Sequence, residues 1–501
     1  MSKRVWTKEQ EQAIYAKWRN SEKTERSNVL VQAAAGSGKT AVLVERIIKK
    51  LVPDDGSEPC GVNSLLAVTF TNAAAGEMQE RIGAALSKEL TGAIAERDVK
   101  KQKLLKRQLA LLPYADITTI DAFCLKTIRS YFHLLEIDPD FGITDSGEAG
   151  IMRDDAMEEL FEQMYNENNP DFLHLICMYT DGRDDTNLSD KIKQIYEFTR
   201  SFPDPEGWLK EKCKDFENPK DSAWVNDGIK RARRLAKEAM KSLRRAAQII
   251  LESSVGGFDD FEKAMLDMPP HEENDVYLAW GSYYTAVFDE YFDMKKIIEA
   301  DWDGIFEISQ RKYIPLNQKA DYVDKSRQIK DKDLKEQVKS LRTAAADKVK
   351  KDIKKYISMP LEDFCGKICA ELYTTVRALS DMTMRFSDIY ARIKAEKNVM
   401  EFADIEHLCL KLFSEFPEVR KEYTDKYEEI LMDEYQDSNR LQEEIFSLIS
   451  RGDNLFMVGD MKQSIYRFRS SDPTIFKEKS DVYEKDETAK NRKIVLSKNF
   501  R

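Results

Sequence analysis

The sequence predicts an α/β protein whose parallel sheet is interrupted by a large all-helical insertion, and three observations carry that reading. Residues 1–140 alternate short β-rich apolar runs with helical patterns, as parallel strands joined by crossover helices do. From about 141 to 390 the chain changes to long helical periodicity, rich in Lys, Glu and aromatic residues. After Glu401-Phe402-Ala403-Asp404 the α/β pattern returns and runs to about 490. One sheet assembled from two separated stretches, 1–140 and 391–490, accounts for all three.

Strands are expected over 29–31, 65–70, 117–120, 429–432 and 455–459, and helices over 39–51, from 74 onward and over 122–135. There is no internal repeat and no low-complexity tract. The Lys-rich stretch 319–355 is interleaved with Asp, Leu and Val and reads as a solvated helix pair.

Composition narrows the function classes. At about 150 residues per domain, 501 residues allow roughly three domains and rule out a single small module. Lys plus Arg number 79 against 90 Asp plus Glu, a net charge of −11. That total argues against nonspecific coating of nucleic acid but leaves room for a local basic groove. One local excess exists: Lys230, Arg231, Arg233, Arg234, Lys237, Lys241, Arg244 and Arg245 face one acid, Glu238, on an amphipathic helical pattern. An ordinary solvated face is favoured there over a duplex-DNA or acidic-partner contact. No run approaches the roughly 18 apolar residues of a membrane helix, and the start MSKRVWTKEQEQAIYAKW has no apolar leader core, so a cytoplasmic protein with no membrane partner is expected. The seven cysteines are scattered. Cys365 and Cys369 are spaced i, i+4, but with no second pair and with His133, His174, His271 and His407 far apart, buried thiols are expected rather than a metal site.

The chemistry concentrates in three places. Ala33-Ala34-Ala35-Gly36-Ser37-Gly38-Lys39-Thr40 follows the strand NVLVQ and opens the helix TAVLVERII, the context of a phosphate-binding loop. Gly36 and Gly38 permit positive φ and close approach of backbone N–H groups to phosphate oxygens, while the helix N-terminus adds its positive end. Lys39 would neutralise the β/γ-phosphates, and Thr40 would place its hydroxyl on Mg²⁺. The first glycine of the usual G-x-x-x-x-G-K-[ST] pattern is Ala33 here. The second place is Glu429-Ile430-Leu431-Met432-Asp433-Glu434, where Asp433 can hold the Mg²⁺ hydration shell and Glu434 can orient or deprotonate the attacking water. The third is the stretch 458–469, where Gln463 stands a few residues past a strand end, able to sense a γ-phosphate, and Tyr466 and Phe468 interleave with Arg467 and Arg469, a pattern that suits base stacking on a single strand and equally suits core aromatics flanked by surface arginines.

Taken together and in this order, WTKEQEQAI, VQAAAGSGKTAVLVERI, AVTFTNAAAGEM, ITTIDAFCLKTIR, EFADIEHL, ILMDEYQDSNRLQ, LFMVGDMKQSIYRFRSSDP and LSKNFR resemble the UvrD/Rep-like superfamily 1 DNA helicases, most closely the AddA-type subunits of AddAB helicase-nucleases. The resemblance covers the α/β segments at both ends, and the helical block matches only in place and size. It implies a RecA-like P-loop NTPase sheet as motor domain 1A, a helical insertion 1B over 141–390, and the start of a second RecA-like domain over 491–501. It implies ATP and Mg²⁺ as cofactors, with Gln10 reading the adenine, residues 35–40 binding phosphate and magnesium, and Asp433 and Glu434 activating water. It further implies Phe500 stacking on adenine, Arg501 reaching the γ-phosphate, Gln463 coupling nucleotide state to DNA, and Phe70, Thr71, Asn72, Tyr466, Phe468 and Arg469 contacting single-stranded DNA. The implied activity is ATP-driven 3′–5′ translocation on single-stranded DNA, with double-strand ends as substrate, recombinational repair as setting and an AddB-like heterodimeric partner.

Phe468, where UvrD and Rep carry tryptophan, is what makes the AddA type the better match. Three departures accompany the resemblance. Asp121 stands where many members carry a DNA-contacting histidine and would repel phosphate, so it is not assigned to DNA. Ala73 replaces a common lysine, and the second RecA-like domain is expected only to begin by Arg501. With the second motor domain and the nuclease domain expected outside 1–501, these residues alone are expected to bind Mg-ATP weakly and to show little DNA-stimulated turnover or cleavage. A UvrD/Rep-type repair helicase and a nucleotide-gated, non-motor DNA-binding scaffold are the alternatives. The presence of Lys39, Thr40, Asp433, Glu434, Gln463 and Arg501 favours an enzyme.

Overall fold

The computed structural model describes residues 6–16, 27–34, 36–54, 57–180, 184–217, 219–271, 273–312, 331–463, 471–487 and 489–498. The chain divides into two compact units: Met1–Leu209 with Asp381–Arg501, and Lys210–Ser380.

The first unit is built on a sheet. Its strands are β1 (Asn28–Ala33), β2 (Leu65–Thr69), β3 (Asp116–Thr119), β6 (Glu429–Met432), β7 (Leu455–Gly459) and β8 (Asn491–Leu496); β4 (Gly142–Ile143) and β5 (Val399–Met400) pair separately. The order is β3-β2-β6-β7-β1-β8, and every pairing is parallel. Strands buried on both faces need continuous apolar runs, which is how β2, β6 and β7 read, each fully buried. Alternate residues feed two cores. Val29, Val31, Leu431, Phe456 and Val458 pack on one side, and Leu30, Ile430, Met432 and Met457 on the other. The interleaving matters most: β6 and β7, from the second stretch of chain, insert between β2 and β1 from the first.

Two boundaries differ from the sequence expectation. Residues 491–496, expected to begin a second domain, form the edge strand of this sheet, in register with β1 from Asn28↔Asn491 to Ala33↔Leu496. The helical block expected as one insertion over 141–390 is divided, because its first helices are tied to the sheet-bearing unit. Tyr196 packs edge-on against Phe386 and Tyr390, Arg200 pairs with Asp404 at 2.7 Å, His407 donates its Nε2–H to the Arg200 carbonyl at 3.1 Å, and the Leu441 N–H donates to the Ser201 carbonyl at 2.9 Å.

The second unit is helical. Its centre is the helix Ala223–Ser254, packed against Ser282–Glu299 and Lys332–Asp347. The apolar stripe expected from the sequence is inside, with Ala232, Ala236, Ala239, Leu243, Ala246 and Ala247 buried, while all the basic residues of 230–245 except the half-buried Arg233 are exposed. Cys369 is buried and Cys365 half-buried, both in the π-helical turn Phe364–Cys369.

Candidate active site

The site grows from β1. The strand ends at Ala33, Gly36 takes φ 74°, the Ser37 N–H bonds the Ala34 carbonyl at 3.1 Å, and Gly38 takes φ 84°, ψ 31° as the residue that starts the helix Lys39–Leu51. A left-handed residue at that position reverses the chain within one step, so the free N–H groups of the first helical turn open onto the loop. The Ser37 hydroxyl is buried and has no hydrogen-bond partner among the described residues.

Opposite the loop, β6 delivers Asp433 and Glu434. The Asp433 N–H continues the ladder to Val68 at 2.9 Å, and the chain then turns left-handed at Glu434, φ 50°. Lys39 Nζ and Glu434 Oε2 are 2.5 Å apart, and Thr40 lies near enough to Asp433 for its hydroxyl to favour the ionised carboxyl. Lys39 and Glu434, 395 positions apart in the chain, meet because β1 and β6 flank β7. Burial and the neighbouring Glu434 carboxylate raise the Asp433 pKa to about 6, against the lowering effect of Lys39, the Glu434 N–H and Thr40.

This donor set fits a magnesium-bound triphosphate. Two carboxyl groups face one ammonium, an oxygen-rich pair with an excess of negative charge suits a hard divalent cation, and the orphaned Ser37 hydroxyl lies in a loop of phosphate-binding form. Lys39 and the loop N–H groups would hold the phosphates; Thr40 and Asp433 would hold the metal.

Gln463 lies past the end of β7. Its Nε2 donates to Asp460 Oδ2 at 2.6 Å. Gln10 is buried and already engaged: Oε1 accepts from the Thr7 N–H at 3.0 Å and Nε2 donates to the Ser37 carbonyl at 2.9 Å. One amide hydrogen and one lone pair remain for a base edge. Thr71 caps the helix Asn72–Ala95 by accepting from the Ala74 N–H at 3.1 Å, and Asn72 is exposed at its first position. Phe70 lines a cleft of about 210 Å³ with Asp121, Arg200, Glu406 and Asp437. Ala35, Tyr466, Phe468, Arg469, Phe500 and Arg501 lie outside the described residues.

Sequence reasoning passes over the groups that hold the two halves together. Arg46, 1% exposed, donates to Glu429 at 2.6 Å and to the carbonyls of Ala13, Ile14 and Ala16, with its guanidinium 4.3 Å from the Phe456 ring centroid. Lys50 reaches the same carboxylate at 3.0 Å. The two cations keep the Glu429 pKa below its ordinary value despite complete burial. The sequence does hold a signal for them: Arg46 and Lys50, spaced i, i+4, fall on the same helix face as the apolar Val42 and Leu43, and a glutamate opens an apolar strand.

The family described as UvrD/REP helicase N-terminal domain matches residues 9–302 and 294–484. The chain belongs to that family. It is 39% identical over 502 residues to a protein of Alkaliphilus oremlandii (strain OhILAs), and 40% identical over 510 residues to one of Thermoanaerobacter sp. (strain X514), each named for the A-type subunit of an ATP-dependent helicase/nuclease. A protein of the same name from Clostridium botulinum (strain Loch Maree / Type A3) is 35% identical over 546 residues. The first two alignments cover 99% of this chain and 38% of the relative, so the chain spans about 38% of the length of these curated relatives. Among the described residues of this UvrD/REP helicase family member, no helix is long and apolar enough to cross a membrane.

Proposed function

We propose that this chain is the nucleotide-hydrolysing part of an ATP-dependent DNA helicase, an AddA-type subunit that translocates 3′–5′ on single-stranded DNA. It works with an AddB-like partner at double-strand ends in recombinational repair, with a RecA-like P-loop core. The observation that carries the reading is the meeting of Lys39 and Thr40 with Asp433 and Glu434 across β7. Family membership and the names of the relatives support the helicase assignment and the partner.

Bound magnesium supplies charge neutralisation for phosphoryl transfer. The residues do the rest. Loop N–H groups and Lys39 bind and orient the phosphates. Thr40 and Asp433 hold the cation. As Lys39 turns to phosphate, Glu434 is freed to orient a water and take its proton at Oε2. Phe70, Thr71, Asn72, Tyr466, Phe468 and Arg469 are the proposed strand contacts, Gln10 and Phe500 the adenine contacts, and Arg501 a γ-phosphate contact.

The test is steady-state ATP hydrolysis by the full-length protein with and without single-stranded DNA. Glu434→Gln should lower kcat by about 100-fold or more with KM little changed, as loss of a general base does. Hydrolysis that ignores DNA, or that survives Glu434→Gln, sinks the assignment. Unwinding of 3′-tailed but not 5′-tailed duplexes checks the polarity.

A further inference from the structure

Among the buried polar side chains that the roles above leave unused, Gln436 stands nearest the acid pair in the chain. Gln436 is 1% exposed, in the turn Tyr435–Asp437 just beyond the acid pair, yet its amide is fully engaged. Nε2 donates to Glu434 Oε2 at 2.9 Å and to Asp437 Oδ2 at 3.0 Å, and Oε1 accepts the Asp460 N–H at 2.8 Å. An amide buried in this way has to satisfy its donors and acceptor, and here it does so on two strand exits at once.

The contact exists because β6 and β7 are neighbours, Met432 opposite Met457, so the turn after one strand lies against the last residues of the other. It also needs Gly459. A Cβ there would stand 2.5 Å from Gln436 Oε1 and 2.9 Å from Phe476, closer than real atoms approach. With these bonds a continuous path runs from Lys39 to Glu434 (2.5 Å), to Gln436 (2.9 Å), to the Asp460 backbone (2.8 Å) and, through the Asp460 carboxylate, to Gln463 (2.6 Å). The amide cannot flip, because a flip sets NH₂ against the Asp460 N–H and a carbonyl against two carboxylates.

We propose that Gln436 is a positioning residue that couples Glu434 to Asp460 and Gln463, so that the exit of β7 follows whichever partner Glu434 bonds. This rests on the ATP-dependent helicase reading above and deepens it. Gln463 is the residue already expected to sense nucleotide; Gln436 is the link by which the hydrolytic acid itself reaches the same segment and the proposed strand contacts after it.

The experiment reads binding, not turnover. In the full-length protein, the affinity for a fluorescent oligothymidylate is measured by anisotropy with ADP and with a non-hydrolysable ATP analogue. The wild-type ratio of the two dissociation constants should be about 5-fold or more, the usual size of a coupling between sites. Gln436→Ala should bring the ratio close to one while the affinity for a fluorescent ATP analogue changes little. Gln436→Met, which keeps the volume and donates nothing, should do the same and serves if the alanine variant unfolds. Combining either with Gln463→Ala should add no further loss, since both act in one path. A wild-type ratio of one overturns the functional reading together with the relay. A wild-type ratio kept by the folded Gln436 variants, or losses that add in the double variant, overturns the relay alone.

Discussion

Consecutive residues of a strand point to opposite faces, so Asp433 and Glu434 could not both address the phosphate loop if β6 simply continued. The left-handed backbone at Glu434, φ 50°, swings the second carboxylate round to Lys39. Such a conformation costs a non-glycine residue about 1–3 kcal/mol, and it stands where the chemistry needs it. On the other side of the site the same backbone region is taken by Gly38, which has no Cβ to object. Gly38→Ala should therefore destabilise the sheet-bearing unit by about 1–2 kcal/mol, and should weaken nucleotide binding because the first helical turn no longer starts where Lys39 and Thr40 are needed. Chemical denaturation with and without Mg-ATP checks both parts; an unchanged midpoint would mean the loop has room to relax.

Between elements, the decisive object is the Arg46–Lys50–Glu429 cluster. It joins the helix after β1 to the first residue of β6, and so fixes from below the distance that Lys39 and Glu434 span from above. Both side chains of the Arg46–Glu429 pair are almost wholly buried, at 1% and 6% exposure. Removing one partner leaves uncompensated charge in the interior, so Glu429→Gln should cost about 3–5 kcal/mol, where a double replacement by apolar residues of like volume should cost much less. Urea unfolding of the single and double variants separates the two. This is also the scale at which the sequence is most and least informative. The runs at 429–432 and 455–459 coincide with β6 and β7, because fully buried strands write themselves as unbroken apolar runs. Asn491–Leu496 does not read as a strand, because an edge strand is half polar and its Asn, Arg and Lys mimic a linker. The pairing of Lys39 with Glu434 is legible because their residue types announce the chemistry. Gln436 and Gly459 are not, because their roles depend on β6 lying beside β7, and adjacency in a sheet leaves no mark on local sequence.

At the scale of the whole sheet-bearing unit, two adjacent residues of the helix Phe402–Glu415 set opposite pH dependences. Burial, with the Asp121 carboxylate nearby, raises the Glu406 pKa to about 8, and the Gln442 donor at 2.8 Å and Arg200 offset this only in part. Burial and the Arg200 charge lower the His407 pKa to about 4. Both are therefore held neutral in the folded protein near pH 6. For His407, the unfolded chain binds more protons between about pH 4 and 6.5, so its contribution is complete above 6.5 and is lost as pH falls toward 4. For Glu406, the folded chain binds more protons between 4.5 and about 8, so its contribution is complete below 4.5 and is lost as pH rises through 8. From 4.5 to 6.5 the two slopes oppose each other, and above 6.5 only the loss from Glu406 remains, amounting to roughly 1–2 kcal/mol by pH 8. Glu406→Gln keeps the acceptor for Gln442 and cannot ionise, so it should unfold at nearly the same denaturant concentration at pH 6.5 and pH 8, while the wild type unfolds earlier at pH 8. Equal pH slopes in the two proteins would show that Glu406 ionises freely, and that the cleft it shares with Phe70 and Asp121 is wetter than its packing implies.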